Sequence, residues 1–295
     1  EEAIYESNIL NICLQTGLYT LPGNTEQERM LIEKFYSDHY EVHYNTVYEI
    51  LTNPERKNIT ESERELIIST VVTMFYRTTK WITQHNSFFN KVLENAYLIA
   101  KQNGFDYFLF EKEKVSIANK TIEQLQKEYK FESRPTQVIT QLETALSLIK
   151  WRIEKDSIMV IKILDDPEFI TSDNPVVYAG RHGKFLAPFD AENILKLALD
   201  PKHLLLLMPY GNEENKLYIT RTEKSGSSSV TAKLTHNYSQ FLNSERFLLG
   251  TETGLKSYLS TKKETERPLT PAESLEFDKI DFELQRILKK IQADF

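Results

Sequence analysis

Cysteine is almost missing from the 295 residues: Cys13 alone excludes an intramolecular disulfide and any metal site built from several thiolates, which points to a reducing, cytoplasmic setting. Glycine (9) and proline (10) are too scarce for a fibrous or disordered chain. Long apolar runs are missing too. The longest uncharged one, Leu66–Tyr76, falls short of the roughly 18–20 residues that cross a bilayer, and no charged-then-apolar leader opens the chain, so no membrane partner is expected. Positive charge is not in excess. Lys plus Arg number 36 against 43 Asp plus Glu, a net charge of −7 shared by both halves, so extended nucleic-acid binding is not favoured. A G-x-S-x-G elbow and a glycine-rich phosphate loop are lacking, and Gly180-Arg181-His182-Gly183 reads as a polar hairpin tip. The PD-(D/E)-x-K nuclease pattern fails because no Lys stands two residues beyond Glu168 or Asp173.

What remains is a composition with 40% hydrophobic and 11% aromatic residues, enough for a packed globular core. Residues 1–24 read as an extended arm ending in a Pro22-Gly23 turn. Thr25 and Glu28 have capping-box spacing, and apolar positions from Leu31 to Leu51 predict one long helix to about Thr52. Thr60 and Glu63 repeat the box ahead of Ile67, Val71, Met74 and Phe75, which predicts a central helix. A third helix is expected from an Asn86 cap to Gly104, a short one near 121–129, and another opening at Pro135 and running to Ile149.

Strand-like pieces follow at Ser157–Leu164, Phe169–Thr171, Val176–Tyr178 and Leu204–Met208, with Lys216–Arg221 as an edge strand. Ser225–Ser229 reads as a surface loop, Thr235–Leu249 as a helix, and Thr270-Pro271 as the opening of a last helix. The expectation is a single α+β domain. In it a helical layer (25–155) packs on a mixed or antiparallel sheet (157–221), and C-terminal helices (235–295) close the other side.

Chemistry concentrates in Asp165–Val176, where four carboxylates in nine residues flank a strand-length apolar piece. Pro175 forces Asn174 out of the helical region, so Thr171-Ser172-Asp173-Asn174-Pro175 is a rigid turn. Asp173 suits a general base or metal ligand held by Ser172 and Asn174; the plainer alternative is an Asx-type turn whose buried carboxylate satisfies backbone N–H groups. Arg77 ends the most apolar helix, where a cation either complements the helix dipole or projects into a pocket toward Asp173 or an anionic ligand. Asn243 inside a helical segment hints at a specific hydrogen bond. His39 and His43 are spaced for one helix face, but Glu41 is misplaced for a zinc hydrolase, and a solvated face is the expected role.

Phe169-Ile170-Thr171-Ser172-Asp173-Asn174-Pro175-Val176 resembles the F-x-T-S-D-N-P-V signature of the bacterial family called domain of unknown function 4238. Ile32–Phe35, Phe75–Thr78, Trp151, Leu186–Phe189, Leu204–Met208 and Asn243 follow the family's order, from about Ala3 to Leu259. Its members usually open with an H-x-V-P-x-x-Y-L-like segment that this sequence, starting at Glu1, lacks, so any His of that segment belonging to a shared site would be missing here. The resemblance implies no established reaction, and the family's distribution suggests a phage-defence or toxin effector.

Two functions therefore compete. One is a metal-assisted hydrolase, a phosphodiesterase or nuclease with Asp173, Asn174 and Arg77 as catalytic groups and Thr171, Ser172 and Asn243 in binding roles. The other is a non-catalytic ligand-binding or regulatory module. Under the second, an uncharged pocket without metal affinity is expected; the functional expectation is that the 171–175 turn and Arg77 line one pocket that takes an anionic small molecule or a nucleotide.

Overall fold

The computed structural model describes residues 3–7, 19–110, 113–166, 168–180, 190–209 and 216–266. The chain divides into two compact units, residues 1–255 and 256–295. The first holds the sheet and most of the helices. The helix α8 spans Glu252–Glu266.

Both predicted capping boxes form, since Thr25 and Thr60 each accept from the N–H three residues on while Glu28 and Glu63 return the bond. The long helix expected over 25–52 is instead broken into α1 (Glu26–Arg29), α2 (Leu31–His39), a 3-10 turn (Glu41–His43) and α3 (Tyr44–Thr52). The breaks at Met30 and Tyr40 let Ile32 and Tyr36 pack beneath one element and Val47, Ile50 and Leu51 beneath another. One straight apolar stripe could not bury both sets. His39 and His43 consequently lie on different elements, and their helical spacing does not put them on one face.

The central helix is α4 (Glu61–Tyr76), buried on nearly every side. α5 (Thr79–Gln102) begins well before Asn86 and ends at Gly104, whose φ of +72° is the left-handed stop expected there. A hairpin, β1 (Tyr107–Phe110) with β2 (Glu113–Ser116), was not legible as strands; its Phe108 buries with Leu93, Ile117 and Leu125 in a satellite core. Where two helices were expected over 121–149, a single helix α6 (Ile122–Lys155) runs through Pro135. A proline there removes one backbone hydrogen bond and costs about 3 kcal/mol, which burial of Val138, Ala145 and Ile149 on the same helix outweighs.

The fold is α+β. Its five-stranded sheet has the order β5 (Val176–Ala179), β6 (Ile194–Ala198), β7 (His203–Pro209), β3 (Asp156–Ile163), β8 (Ile219–Lys224), antiparallel except for the parallel β3–β8 pair. The alternation along β3 sorts its two faces. Ile158 and Val160 join Ile67, Val71, Leu205 and Leu207 under α4, whereas Ile161 and Ile163 join Leu204 and Phe169 beneath Ala232 of α7 (Ser227–Asn243). Of the short pieces expected between, Thr171–Ser172 forms only a two-residue strand, β4, paired with β9 (Leu248–Leu249).

The start of β3 is pinned by charge. Asp156 pairs with Arg152 at 2.6 Å in full burial, Arg152 also donates to the Asn193 carbonyl (2.6 Å), and Arg64 of α4 donates to the carbonyls of Ile153 (2.9 Å), Asp156 and Lys216 (2.7 Å). Two further expectations fail. Ser225–Ser229 is no loop: Gly226 caps α7, and the Ser228 and Ser229 hydroxyls donate back to the Ser225 and Gly226 carbonyls (2.9 and 2.8 Å) inside its first turn. The helix therefore starts earlier than Thr235 and stops at Asn243, leaving Leu248–Leu249 free to pair as a strand. The proposed hairpin tip at Arg181-His182 and the helix from Thr270 lie outside the described residues.

Candidate functional site

The segment from Glu168 to Val176 has few strand neighbours, and its backbone groups are satisfied largely by side chains of α7. Asn237 accepts from the Ile170 N–H and donates to the Glu168 carbonyl, both at 3.0 Å. Gln240 accepts from the Ser172 hydroxyl (2.8 Å) and donates to the Pro175 carbonyl (2.7 Å). Asn243 and Asn174 exchange bonds, each side-chain amide donating to the other's backbone carbonyl at 2.9 and 3.0 Å. Ser229, Lys233, His236, Asn237, Gln240 and Asn243 thus form a buried polar stripe at helical spacing. It satisfies backbone groups of this segment that have no strand partner. His236 is buried there against Phe169, and burial, with Lys196 adding to it, holds its imidazole down to about 3.

This stripe fixes the turn at Asp173. The Asp173 side chain is 4% exposed, its Oδ1 accepts from the Glu245 N–H (3.0 Å), and its Oδ2 accepts from the Arg246 N–H (2.9 Å). Its own N–H donates to the Phe247 carbonyl at 3.2 Å. The carboxylate therefore braces the chain that follows α7, and the Arg246 guanidinium approaches it at 3.6 Å.

Arg77, the C-cap of α4, lies across the cleft from this turn. Its guanidinium sits 4.9 Å from the Tyr36 ring centroid and 5.5 Å from that of Tyr19, and it pairs with Glu33 (3.3 Å) and with Glu41. Tyr36 is 1% exposed; its phenol is pushed up to about 12 by burial, with Arg77 offsetting part of the rise, and Tyr19 is raised as well. The Tyr36 and Thr70 hydroxyls have no hydrogen-bond partner among the described residues. Together with Tyr40, Tyr44 and Thr73 these groups line a cavity of about 390 Å³.

A model of the family described as a protein of unknown function, DUF4238, matches residues 1–254. The chain belongs to the DUF4238 family. No curated protein and no solved structure matches it.

In this DUF4238 chain, Arg77 and Asp173 line the same cleft, with Pro175 beside them. Asn174, Asn243 and Ser172 do not reach it: they are buried on the α7 side of the turn, and the Lys80 ammonium, itself lowered by burial, donates to the Asn243 side chain. Asn243 is the last residue of its helix, and its specific bonds go to the Asn174 and Val176 carbonyls. Thr171 is spent on the β4–β9 ladder, and its hydroxyl has no partner among the described residues. Among the described residues no three His, Cys, Asp or Glu side chains group as metal ligands.

The residues that sequence reasoning missed are Tyr19, Tyr36, Tyr40, Tyr44, Glu33, Glu41 and Arg246. The one available signal was the tyrosine repeat at 36, 40 and 44. In one unbroken helix that spacing would put the three on one face, and the chain instead breaks at Tyr40.

Proposed function

We propose that this DUF4238 protein is a non-catalytic binding module whose Arg77 cleft takes a small anionic ligand carrying a flat ring, a nucleotide being the class that fits. The observation that carries this reading is the cleft's composition: the half-buried Tyr40 and Tyr44 offer rings and hydroxyls beside the buried Tyr19 and Tyr36, and Arg246, 44% exposed, offers a charge at the mouth. Arg77 is a positioning group rather than the anion contact, because Glu33 and Glu41 already balance it. The hydrolase alternative needs Asp173 as base or ligand, and both its oxygens already accept backbone N–H groups. A cytoplasmic regulatory role, in phage defence or elsewhere, is the setting that goes with nucleotide binding.

The test is calorimetric titration of wild type, Arg246→Ala, Tyr44→Leu and Asp173→Asn with AMP, ADP and ATP, with and without Mg²⁺ or Mn²⁺, with product analysis of the same mixtures. Binding weakened about tenfold by Arg246→Ala, with no turnover in any mixture, is expected. Metal-dependent turnover abolished by Asp173→Asn would restore the hydrolase, and the absence of binding would remove the nucleotide.

A further inference from the structure

A second cavity, of about 660 Å³, opens between α5 and α6, and its chemistry is opposite to that of the Arg77 cleft. One wall is aromatic. Trp81 packs tilted against Tyr76 with centroids 4.9 Å apart and planes 30° apart, its indole N–H is spent on the Phe75 carbonyl (2.9 Å), and the exposed Phe88 lines the same cavity. The wall therefore presents ring faces and no indole donor.

The other wall is a broad stripe of α6 that includes Gln137, Thr140, Gln141, Thr144, Ser147 and Leu148. On a helix packed against a neighbour such a stripe is normally aliphatic; here it carries two amides. Gln137 is 4% exposed and donates through Nε2 to Asn86 (3.1 Å) and Ser133 (2.6 Å), but its Oε1 has no partner. Gln141 has buried both its Oε1 and its Nε2 with no partner for either among the described residues. A buried amide atom left unpaired loses its hydration with nothing in return, and native proteins keep few of them. Two such glutamines on neighbouring turns of a helix that lines the cavity are accounted for if a ligand completes them.

The lining also limits the ligand's charge. Among the described lining residues Glu143, exposed at the rim, is the one acidic side chain and none is Lys, Arg or His, so none of them would compensate a ligand's negative charge. We propose that this cavity is a binding site for a neutral, flat aromatic molecule bearing an amide or lactam edge. The rings lie against Trp81 and Tyr76, the ligand N–H donates to a glutamine Oε1, and its carbonyl accepts from Gln141 Nε2. The site shares no lining residue with the Arg77 cleft, so its test stands apart from the nucleotide reading.

The experiment is ligand-observed and protein-observed NMR on the full chain with 2-quinolone and 2-naphthamide as probes, and N-methyl-2-quinolone and 2-naphthoate as matched controls lacking the donor or carrying charge. Gln141→Leu removes an amide that no described residue uses, and Ser147→Trp fills the cavity from an exposed position; far-UV circular dichroism and the urea midpoint verify that both variants fold. The expected result is binding of both neutral probes below about 1 mM, weakened fivefold or more by Gln141→Leu or by N-methylation and abolished by Ser147→Trp. The proposal is overturned if neither neutral probe binds, if 2-naphthoate binds as well as 2-naphthamide, or if binding survives Ser147→Trp.

Discussion

Replacing Asp173 with alanine asks whether the signature carboxylate is a brace. Its oxygens accept from Glu245 and Arg246 at 3.0 and 2.9 Å, and a hydrogen bond to a charged acceptor contributes about 1.5–3 kcal/mol. The two donors lie on an exposed segment, where water replaces part of what is lost, so the lower end applies to each and the sum is about 2–3 kcal/mol. Arg246 also loses its carboxylate at 3.6 Å, but that guanidinium is 44% exposed and the pair adds little. Asp173→Asn keeps one acceptor and turns an amide N–H₂ toward the second donor, so it recovers less than half of the loss. Urea unfolding followed by circular dichroism measures the total. Hydrogen exchange gives its location: the Glu245 and Arg246 amides should exchange about tenfold or more faster in the alanine variant, while the Ile170 amide, held by Asn237, keeps its protection. A stability change below about 0.5 kcal/mol, or unchanged exchange at 245 and 246, would refute the brace.

Two other outcomes follow from the same region. His236 is held neutral down to about 3 in the fold and titrates near 6.5 when unfolded, so its stabilising contribution is complete above pH 6.5 and is lost as pH falls toward 3. Between pH 7 and pH 5 the wild type should therefore lose roughly 2 kcal/mol more than His236→Gln in urea titrations, and parallel pH profiles would refute a buried neutral imidazole. Gly226 caps α7 at φ +59° and ψ −135°, a region that side chains avoid, and a Cβ there meets no atom within 4 Å. Gly226→Ala should cost about 1–3 kcal/mol through backbone strain alone, and an unchanged urea midpoint would show that the chain can start α7 another way.

Local signals were legible in the sequence wherever the chain decides its own conformation. The Thr60–Glu63 box, the apolar run behind it and the aliphatic runs of β3 and β7 each carry their structure in neighbouring residues, and each forms as read. Pro135 and the serines at 227–229 misled for the opposite reason. Taken alone they break or avoid helices, but burial of Val138 on one helix and of Ser229 and His236 on the other outweighs that preference. Apart from Asn243, which hinted at a specific hydrogen bond, the polar stripe of α7 was not legible because side chains that pair with backbone look, in sequence, like an ordinary wet helix face.

The site divides along the same line. The Asp173 turn was marked by Pro175 and its dense local hydrogen-bonding side chains, and Arg77 by its place at the end of the apolar helix. By itself the sequence determined a rigid turn, a core helix ending in a cation and an α+β order of elements, because these follow from capping, periodicity and proline stereochemistry over a few residues. Only the tertiary structure decided that Arg77 and Asp173 line one cleft while Asn174 and Asn243 turn away from it. It also decided that tyrosines 19, 36, 40 and 44 form the cleft wall and that Glu33 and Glu41 balance the arginine. The physical reason is that which side chains meet depends on where helices break and which faces bury, and that is set by contacts between segments far apart in the chain.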